Sequence, residues 1–168
     1  MNGPQFAAKD VINSEFADIG SVLIPERICI LDCDDKENAL RQLIELLATA
    51  PEVKNSDELA RGIFYREQLM STGIGLGIAV PHVRLESVEK PAMAVGVSVK
   101  GIKDYESLDD APVHLIFMIA AGKNQHRQYL RLLSAVSSRL KEARVRRLLM
   151  NAQDNKAFYN ILTNSEET

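Results

Sequence analysis

Residues 66–82 read R-E-Q-L-M-S-T-G-I-G-L-G-I-A-V-P-H, and this stretch carries more information than the rest of the chain. Three glycines at alternate positions lead into the apolar, strand-like residues 78–80, and Pro81 follows directly before His82. Glycine tolerates positive φ and has no side chain, so another backbone or an anion can approach it closely. Proline fixes its own φ and donates no hydrogen bond, so we expect it to end the strand and hold His82 in one direction. A histidine in such a place suits nucleophilic or acid–base chemistry.

The whole chain sets broad limits on the class of protein. Its 168 residues and net charge of −3 fit one domain with a substantial core and do not suggest a general nucleic-acid binder. It has no apolar run of the ~20 residues that a membrane span needs, and its first ten residues lack the features of a signal peptide. Cys29 and Cys33 are too few for a disulfide scaffold, and their spacing predicts buried free thiols on one face of a strand. These features predict a cytoplasmic protein that does not insert into a membrane.

Basic residues are crowded late in the chain, where their spacing favours a solvated helix face over a patch that binds a partner. They are Arg127, Arg131, Arg139, Lys141, Arg144, Arg146 and Arg147.

Hydrophobic periodicity predicts alternating strands and helices. Residues 1–20 show no clear period and read as a tail or one loose helix, followed by a domain over 21–163. The predicted helices span 36–50, 56–70, 128–141, 145–150 and 156–162, and the predicted strands 27–32, 78–80, 92–99 and 113–120. Asp34 or Asp35 is expected to cap the first helix. The third strand should be half-buried and end in a turn at Lys100 and Gly101, and the fourth should be covered on both faces.

In the third of these helices, the periodicity places Leu130, Leu133, Val136 and Leu140 inward. Interleaved strands and helices of this kind indicate an α/β or α+β domain with a mixed sheet.

The glycine pattern does not match a nucleotide-binding motif. A dinucleotide fingerprint would need glycine at position 78, where Ile78 stands, and no Gly-Lys-Ser/Thr follows for a phosphate loop. Two interpretations stay open for these glycines, namely an anion cradle and a plain turn between helix and strand.

Polar residues around His82 indicate a multiply charged oxyanion as its substrate. Arg66, Ser71 and Thr72 precede the histidine and Arg84 follows it. Guanidinium groups and hydroxyls suit a phosphoryl group, although both arginines are also compatible with an ordinary surface role.

The two other histidines read differently. His114 lies in the most apolar strand, where a structural histidine bonded to a neighbour is favoured. His126 falls at the start of the late helix, whose N-terminus attracts anions, and a surface role is equally compatible. The spacing of the three histidines does not suggest a metal site.

Residues 66–84, with the pattern R-E-x-x-x-S-T-G-I-G-x-G-I-A-V-P-H, resemble the active-site signature of the type-2 enzyme IIA domains. These domains form the fructose/mannitol and nitrogen-regulatory class of the bacterial phosphoenolpyruvate-dependent sugar phosphotransferase system. The resemblance extends over roughly residues 19–162. It implies the enzyme IIA mannitol-like phosphotransferase fold, with a mixed β-sheet flanked by helices.

The resemblance also implies an activity, that of a histidine phosphotransferase. His82 would accept a phosphoryl group from the phosphohistidine of the carrier protein HPr and pass it to a IIB domain. Arg66 would stabilise the equatorial oxygens, while Ser71, Thr72 and Arg84 would help to bind the group. No metal, nucleotide or other cofactor is implied, because the donor is already a high-energy phosphohistidine.

Two departures from the family pattern stand out. Members often carry glycine or alanine after the active histidine, whereas Val83 stands here and would narrow access to His82. The family also tends to place a second histidine at the start of the late helix, where alignment puts Tyr129. His126 lies three residues earlier, about one helical turn away, and is therefore expected to act as the supporting catalytic residue.

Two alternatives to the transport role remain. In a regulatory protein of the nitrogen-related branch, phosphorylation of His82 would control binding to a target protein, with no sugar transported. A degenerate sensor would bind an anion at the glycines and transfer nothing.

Overall fold

The computed structural model describes residues 19–163. The predicted tail, residues 1–20, therefore lies outside the described residues except for its last two, and its separation from the domain stays a prediction. Residues 19–22 are helical. Ile19 is fully buried, and the Gly20 carbonyl accepts a hydrogen bond from the Tyr159 hydroxyl at 3.1 Å.

The elements follow the predicted order closely. The strands are β1 (Ile28–Ile30), β2 (Gly73–Gly75), β3 (Ile78–Ala79), β4 (His82–Leu85), β5 (Ala92–Ile102) and β6 (Val113–Gly122). The helices are α1 (Lys36–Leu47), α2 (Ser56–Leu69), α3 (His126–Leu140), α4 (Ala143–Met150) and α5 (Asn155–Thr163), and a 3₁₀ turn spans Pro25–Arg27. Asp35 caps α1 by accepting a hydrogen bond from the Asn38 amide, as the sequence predicts.

The six strands form one mixed sheet with the order β1-β5-β6-β3-β2, and β4 also pairs with β6. Strand β6 pairs antiparallel with β5 and parallel with both β3 and β4. Helices α1 and α2 contribute to the core on one face, and α3, α4 and α5 to the core on the other. The predicted fold, a mixed sheet flanked by helices, is confirmed.

The strand before Pro81 ends at Ala79, as predicted, but a further strand that the sequence did not predict, β4, begins directly after the proline and also pairs with β6. Ile78 pairs with Leu115 and His82 pairs with Ile119, so the register is the same on both sides of Pro81. The Pro81 carbonyl even accepts a hydrogen bond from the Ile119 amide at 2.9 Å. His82 therefore follows one short strand and begins the next.

Strand β5 also differs from its prediction. It is buried on both faces from Ala92 to Ser98, because helices cover both sides of the sheet. The predicted turn at Lys100 and Gly101 lies inside the strand as an irregularity in the pairing with β6, where Gly101 has a φ of 89°.

On α3, the predicted inward position of Leu130 is wrong, since this side chain is 49% exposed. The buried face of that helix is formed by Leu132, Ala135, Val136, Arg139 and Leu140.

The cysteines are free and half-buried, and only Cys29 lies in a strand. The prediction of two buried thiols on one strand is therefore wrong in part. Both sulfurs contact the Gln42 amide, at 4.0 Å for Cys29 and 3.9 Å for Cys33. Burial raises the pKa of Cys29 to about 11, which keeps it a thiol at neutral pH.

The glycines form a tight hairpin between β2 and β3, instead of a turn between helix and strand. Leu76 and Gly77 at its tip both have positive φ, at 61° and 77°, as in the turns that suit two-residue hairpins. Gly73 is needed for another reason: a Cβ there would lie inside contact distance of the Glu106 carbonyl oxygen and 3.0 Å from Ser107 Cα. Its bare surface is thus covered by the chain itself.

We expect Gly73→Ala to lower the free energy of unfolding by about 1–3 kcal/mol, the usual range for overpacking. The added methyl group meets backbone atoms of the loop at Glu106 and Ser107, which cannot rotate away as a side chain would. Urea denaturation followed by circular dichroism measures the loss. The neighbouring Ile74→Ala, at a side chain that is 40% exposed, should lose clearly less; equal losses would contradict the close-approach explanation.

Candidate functional site

His82 is held at the start of β4, on the face of the sheet that α3 covers. Its ring is half-buried, and Nδ1 lies 2.6 Å from the Val80 carbonyl oxygen. A carbonyl can only accept a hydrogen bond, so Nδ1 must carry the proton. In the neutral ring, Nε2 then keeps its lone pair and is the nucleophilic nitrogen.

The surroundings of His82 favour that neutral ring. Burial is the main cause that lowers its pKa, and the positive charge of Arg66 lowers it further. The hydrogen bond to Val80 and the charge of Glu67 act in the opposite direction. The net effect is a pKa below the ordinary histidine value, so the ring is neutral at neutral pH.

Three side chains form a stack beside His82. The Tyr129 ring meets the His82 ring edge-on, with centroids 5.3 Å apart. The Arg84 guanidinium lies 5.6 Å from the centroid of the same tyrosine ring. His126 stacks on Tyr129 at 6.4 Å and is exposed, so the tyrosine ring lies against both histidines.

Arg66 approaches the site from the last turn of α2, where its Nη1 donates to the Met70 carbonyl at 2.8 Å. Its charge acts on both His82 and Tyr129, because it lowers the pKa of each. Burial nevertheless raises the pKa of Tyr129 overall, so the hydroxyl stays protonated and can donate a hydrogen bond.

The hydroxyls of Ser71 and Thr72 make hydrogen bonds within the protein. Ser71 Oγ donates to the Glu106 carbonyl at 2.6 Å. Thr72 is 4% exposed, and its hydroxyl is bonded to Glu67 and lies 2.8 Å from that of Tyr105. Of the six predicted site residues, the structure brings His82, Arg66, Arg84 and His126 together around Tyr129, and engages these two hydroxyls elsewhere.

Glu67 is a buried member of the region that was not singled out from the sequence. It lies on the inward face of α2 with Leu59 and Ile63, at intervals of four residues. A charged residue in an apolar helical stripe is the signal that could have identified it, because such residues are buried only when paired.

Val83 does not narrow access to His82. Side chains alternate along a strand, and Val83 packs on the opposite face of the sheet from the histidine's partner α3. A Cβ on Gly62 of α2 would lie 2.8 Å from Val83 Cγ2, which shows how closely the helix and this valine approach. The expected obstruction is therefore wrong.

His114 has the structural role expected of it, since its Nδ1 lies 2.8 Å from the Ser98 carbonyl. Among the described residues, no group of three or more His, Cys, Asp or Glu side chains could hold a metal ion. No helix within residues 19–163 is both long and apolar enough to cross a membrane.

The sequence favoured a solvated helix face for the late basic residues, but the structure shows that two of them are bonded to backbone carbonyls. Arg139 is 3% exposed and donates to the Leu162 and Ile161 carbonyls at the end of α5. Arg146 donates to the carbonyls of Leu140 and Lys141 at the end of α3. Both neutralise unpaired carbonyls at helix C-termini.

Residues 21–165 match the family model described as "Phosphoenolpyruvate-dependent sugar phosphotransferase system, EIIA 2". The chain belongs to this family. The phosphotransferase-system EIIA type-2 domain thus accounts for nearly all of the described residues, and the resemblance seen in the sequence is confirmed.

Curated relatives include proteins of two kinds. The fructose-specific EIIABC component of Bacillus subtilis is 36% identical over 137 residues, which are 82% of this chain but only 21% of that relative. The fructose-specific EIIA component of Haloferax volcanii is 36% identical over 76% of this chain and 82% of its own. The nitrogen regulatory protein of Escherichia coli is 34% identical over 81% of this chain and 83% of its own.

Solved structures of both kinds share the fold. Nitrogen regulatory protein IIA-Ntr from Neisseria meningitidis superposes with a TM-score of 0.80 at 26% identity, covering 86% of this chain and 99% of that one. IIA mannitol from Escherichia coli superposes with a TM-score of 0.70 at 27% identity, covering 83% and 98%.

We expect Arg66→Gln to raise the pKa of His82, because the variant removes a positive charge that disfavours the imidazolium. The neutral ring would then be lost at a higher pH than in the wild type. An NMR titration of the His82 ring protons measures this directly. Arg61→Gln, at an exposed arginine of the same helix, is the matched control and should leave the pKa unchanged; a fall or no change in Arg66→Gln would contradict the proximity of the two groups.

Proposed function

We propose that this EIIA-family protein is a phosphocarrier that accepts a phosphoryl group on Nε2 of His82 from an HPr-like phosphocarrier protein and passes it to a IIB domain. The observation that carries the proposal is the hydrogen bond between Nδ1 and the Val80 carbonyl, which leaves the Nε2 lone pair free. The new N–P bond forms as the N–P bond of the donor phosphohistidine breaks, and the donor ring keeps that electron pair. This exchange takes place in the cytoplasm, where we place the protein.

The surrounding charges support this reaction. Arg66 and Arg84 supply positive charge near His82 for the equatorial oxygens of the transferring group, the usual means of catalysing phosphoryl transfer. Because Ser71 and Thr72 are bonded to Glu106 and Glu67, we propose that they shape the segment before the hairpin, while the two arginines bind the phosphoryl group.

Tyr129 takes the place closest to His82 in this proposal. Its ring touches that of His82, whereas His126 reaches the site through the tyrosine. Tyr129 fixes the imidazole plane, and His126 and Arg84 both lie against the tyrosine ring.

A regulatory role is the second candidate. It is favoured by the nitrogen regulatory relatives and by the TM-score of 0.80 with IIA-Ntr. The transport role is favoured by the fructose-specific relatives and by the likeness to IIA mannitol, which has been solved in complex with phosphorylated IIB mannitol. In the regulatory role, phosphorylation of His82 would control binding to a target protein.

Incubation with phosphoenolpyruvate, enzyme I and HPr should add one phosphoryl group that is labile to acid and stable to alkali, as measured by mass spectrometry. His82→Ala should remove it, because the accepting nitrogen is gone. The control is His114→Asn, which can still donate to the Ser98 carbonyl and should keep full labelling. Labelling that persists in His82→Ala would contradict the assignment, and a wild type that is never labelled would favour the anion sensor.

The labelled protein then separates the two roles. Loss of the group to a purified IIB domain of the fructose or mannitol class supports the transport role. A stable phosphoprotein that changes its binding to a target supports the regulatory one.

We expect Tyr129→Ala to slow phosphorylation by about 10- to 100-fold, since small misplacements of a reacting group have effects of this size. Tyr129→Phe keeps the ring contact with His82 and should lose much less. The comparison uses the rates at which phospho-HPr phosphorylates the wild type and the two variants, measured by quench-flow. A His126→Ala rate far below that of Tyr129→Ala would reverse the order proposed for these two side chains.

A further inference from the structure

Glu67 is a buried carboxylate whose oxygens are surrounded by donors. Its side chain is 5% exposed, and Lys36 Nζ lies 2.9 Å from Oε2. The Thr72 amide also donates to Oε2 at 3.3 Å, and the hydroxyls of Thr72 and Tyr105 lie on Oε1. Burial, followed by the charge of Glu67, raises the pKa of Tyr105, so that hydroxyl remains protonated. Such a set of donors fixes the carboxylate in one orientation.

Hydrogen bonds connect this carboxylate to the active-site histidine in three steps. Glu67 binds the amide and the hydroxyl of Thr72. The Thr72 carbonyl accepts from the Val80 amide at 3.0 Å. The Val80 carbonyl accepts from His82 Nδ1 at 2.6 Å. Thr72 is thus bonded to Glu67 and to Val80, and Val80 is bonded to Thr72 and to His82. The two residues link the carboxylate to the imidazole.

We propose that Glu67 is a positioning residue: through Thr72 and Val80 it holds His82 with the proton on Nδ1 and with Nε2 free to accept a phosphoryl group. Removing the carboxylate frees Thr72, whose carbonyl accepts from the Val80 amide. The Val80 residue is then held less firmly, and its carbonyl loses its fixed place beside the His82 ring. The role in transfer rests on the function proposed above, whereas the effect on the histidine tautomer does not.

A purely structural role makes a different prediction. In that case, loss of Glu67 would lower stability and leave the His82 tautomer as it is. Lys36 offers the matched control, because Lys36→Met removes the ion pair and leaves the bonds from Glu67 to Thr72 and Tyr105 in place.

The deciding measurement is the pair of ¹⁵N chemical shifts of His82 in the unphosphorylated full chain, at a pH above the ordinary histidine pKa. The wild type and Lys36→Met should show a protonated Nδ1 and an unprotonated Nε2. Glu67→Gln should show a mixture of both tautomers. The donors around Glu67 approach both of its carboxylate oxygens, whereas a glutamine amide has only one oxygen that can accept a hydrogen bond. Its kcat for phosphorylation should fall by about 10- to 100-fold while KM changes little.

Wild-type shifts in a folded Glu67→Gln would overturn the proposal, as would a normal kcat. If Glu67→Gln does not fold, variants of Thr72 provide the same test. Thr72→Val should mix the tautomers, whereas Thr72→Ser, which keeps the amide and a hydroxyl, should restore the wild-type shifts. If the wild type is never phosphorylated, the proposed function falls, and the shifts still decide whether Glu67 holds the ring.

Discussion

The site depends on the pairing of β6 with the interrupted strand beside it. Nearly every side chain of β6 is buried, so this strand must lie in the middle of the sheet with helices on both faces. It holds β3 and β4 in one register across Pro81. Because side chains alternate along a strand, that register directs His82 toward α3 and Val83 toward α2. A shift of one residue would exchange the two faces.

One electrostatic arrangement serves both states of the histidine. Burial and the charge of Arg66 lower the pKa of His82 and so favour a neutral imidazole, as the proposed role of nucleophile requires. The phosphoryl group of the proposed transfer would bring nearly two negative charges to the same place. The positive charge of Arg66, which disfavours an imidazolium, would favour that anion. No rearrangement of charge is needed between the two states.

The loop after β5 determines the shape of the glycine hairpin. The Glu106 carbonyl covers Gly73. The Ser107 hydroxyl accepts a hydrogen bond from the Gly75 amide at 3.0 Å, and the Asp109 carboxylate accepts one from the Leu76 amide at 2.8 Å. These contacts satisfy backbone donors at the edge of the sheet. The alternation of the three glycines thus has an internal explanation in tight turns and close packing.

The sequence by itself determined the five helices and the strands β1, β3, β5 and β6 in their order, but not β2 or β4. It also singled out His82 as the candidate central residue. Helical and strand periodicities are local, so the bounds of α2, β6 and α5 could be predicted to within a few residues. The family signature singled out His82 and Arg66, and the roles proposed for them follow from their chemistry. Even Glu67 was marked locally, by its place in the inward stripe of α2.

Only the tertiary structure decided which side chains meet. It placed Tyr129 against His82, turned the hydroxyl of Ser71 to the Glu106 carbonyl, and set Val83 against Gly62. It also showed that Pro81 interrupts the strand while β6 holds the pairing on both sides. These outcomes depend on register and on contacts between residues far apart in the chain. Local periodicity contains no information about either, because both are settled when the helices and the sheet pack together.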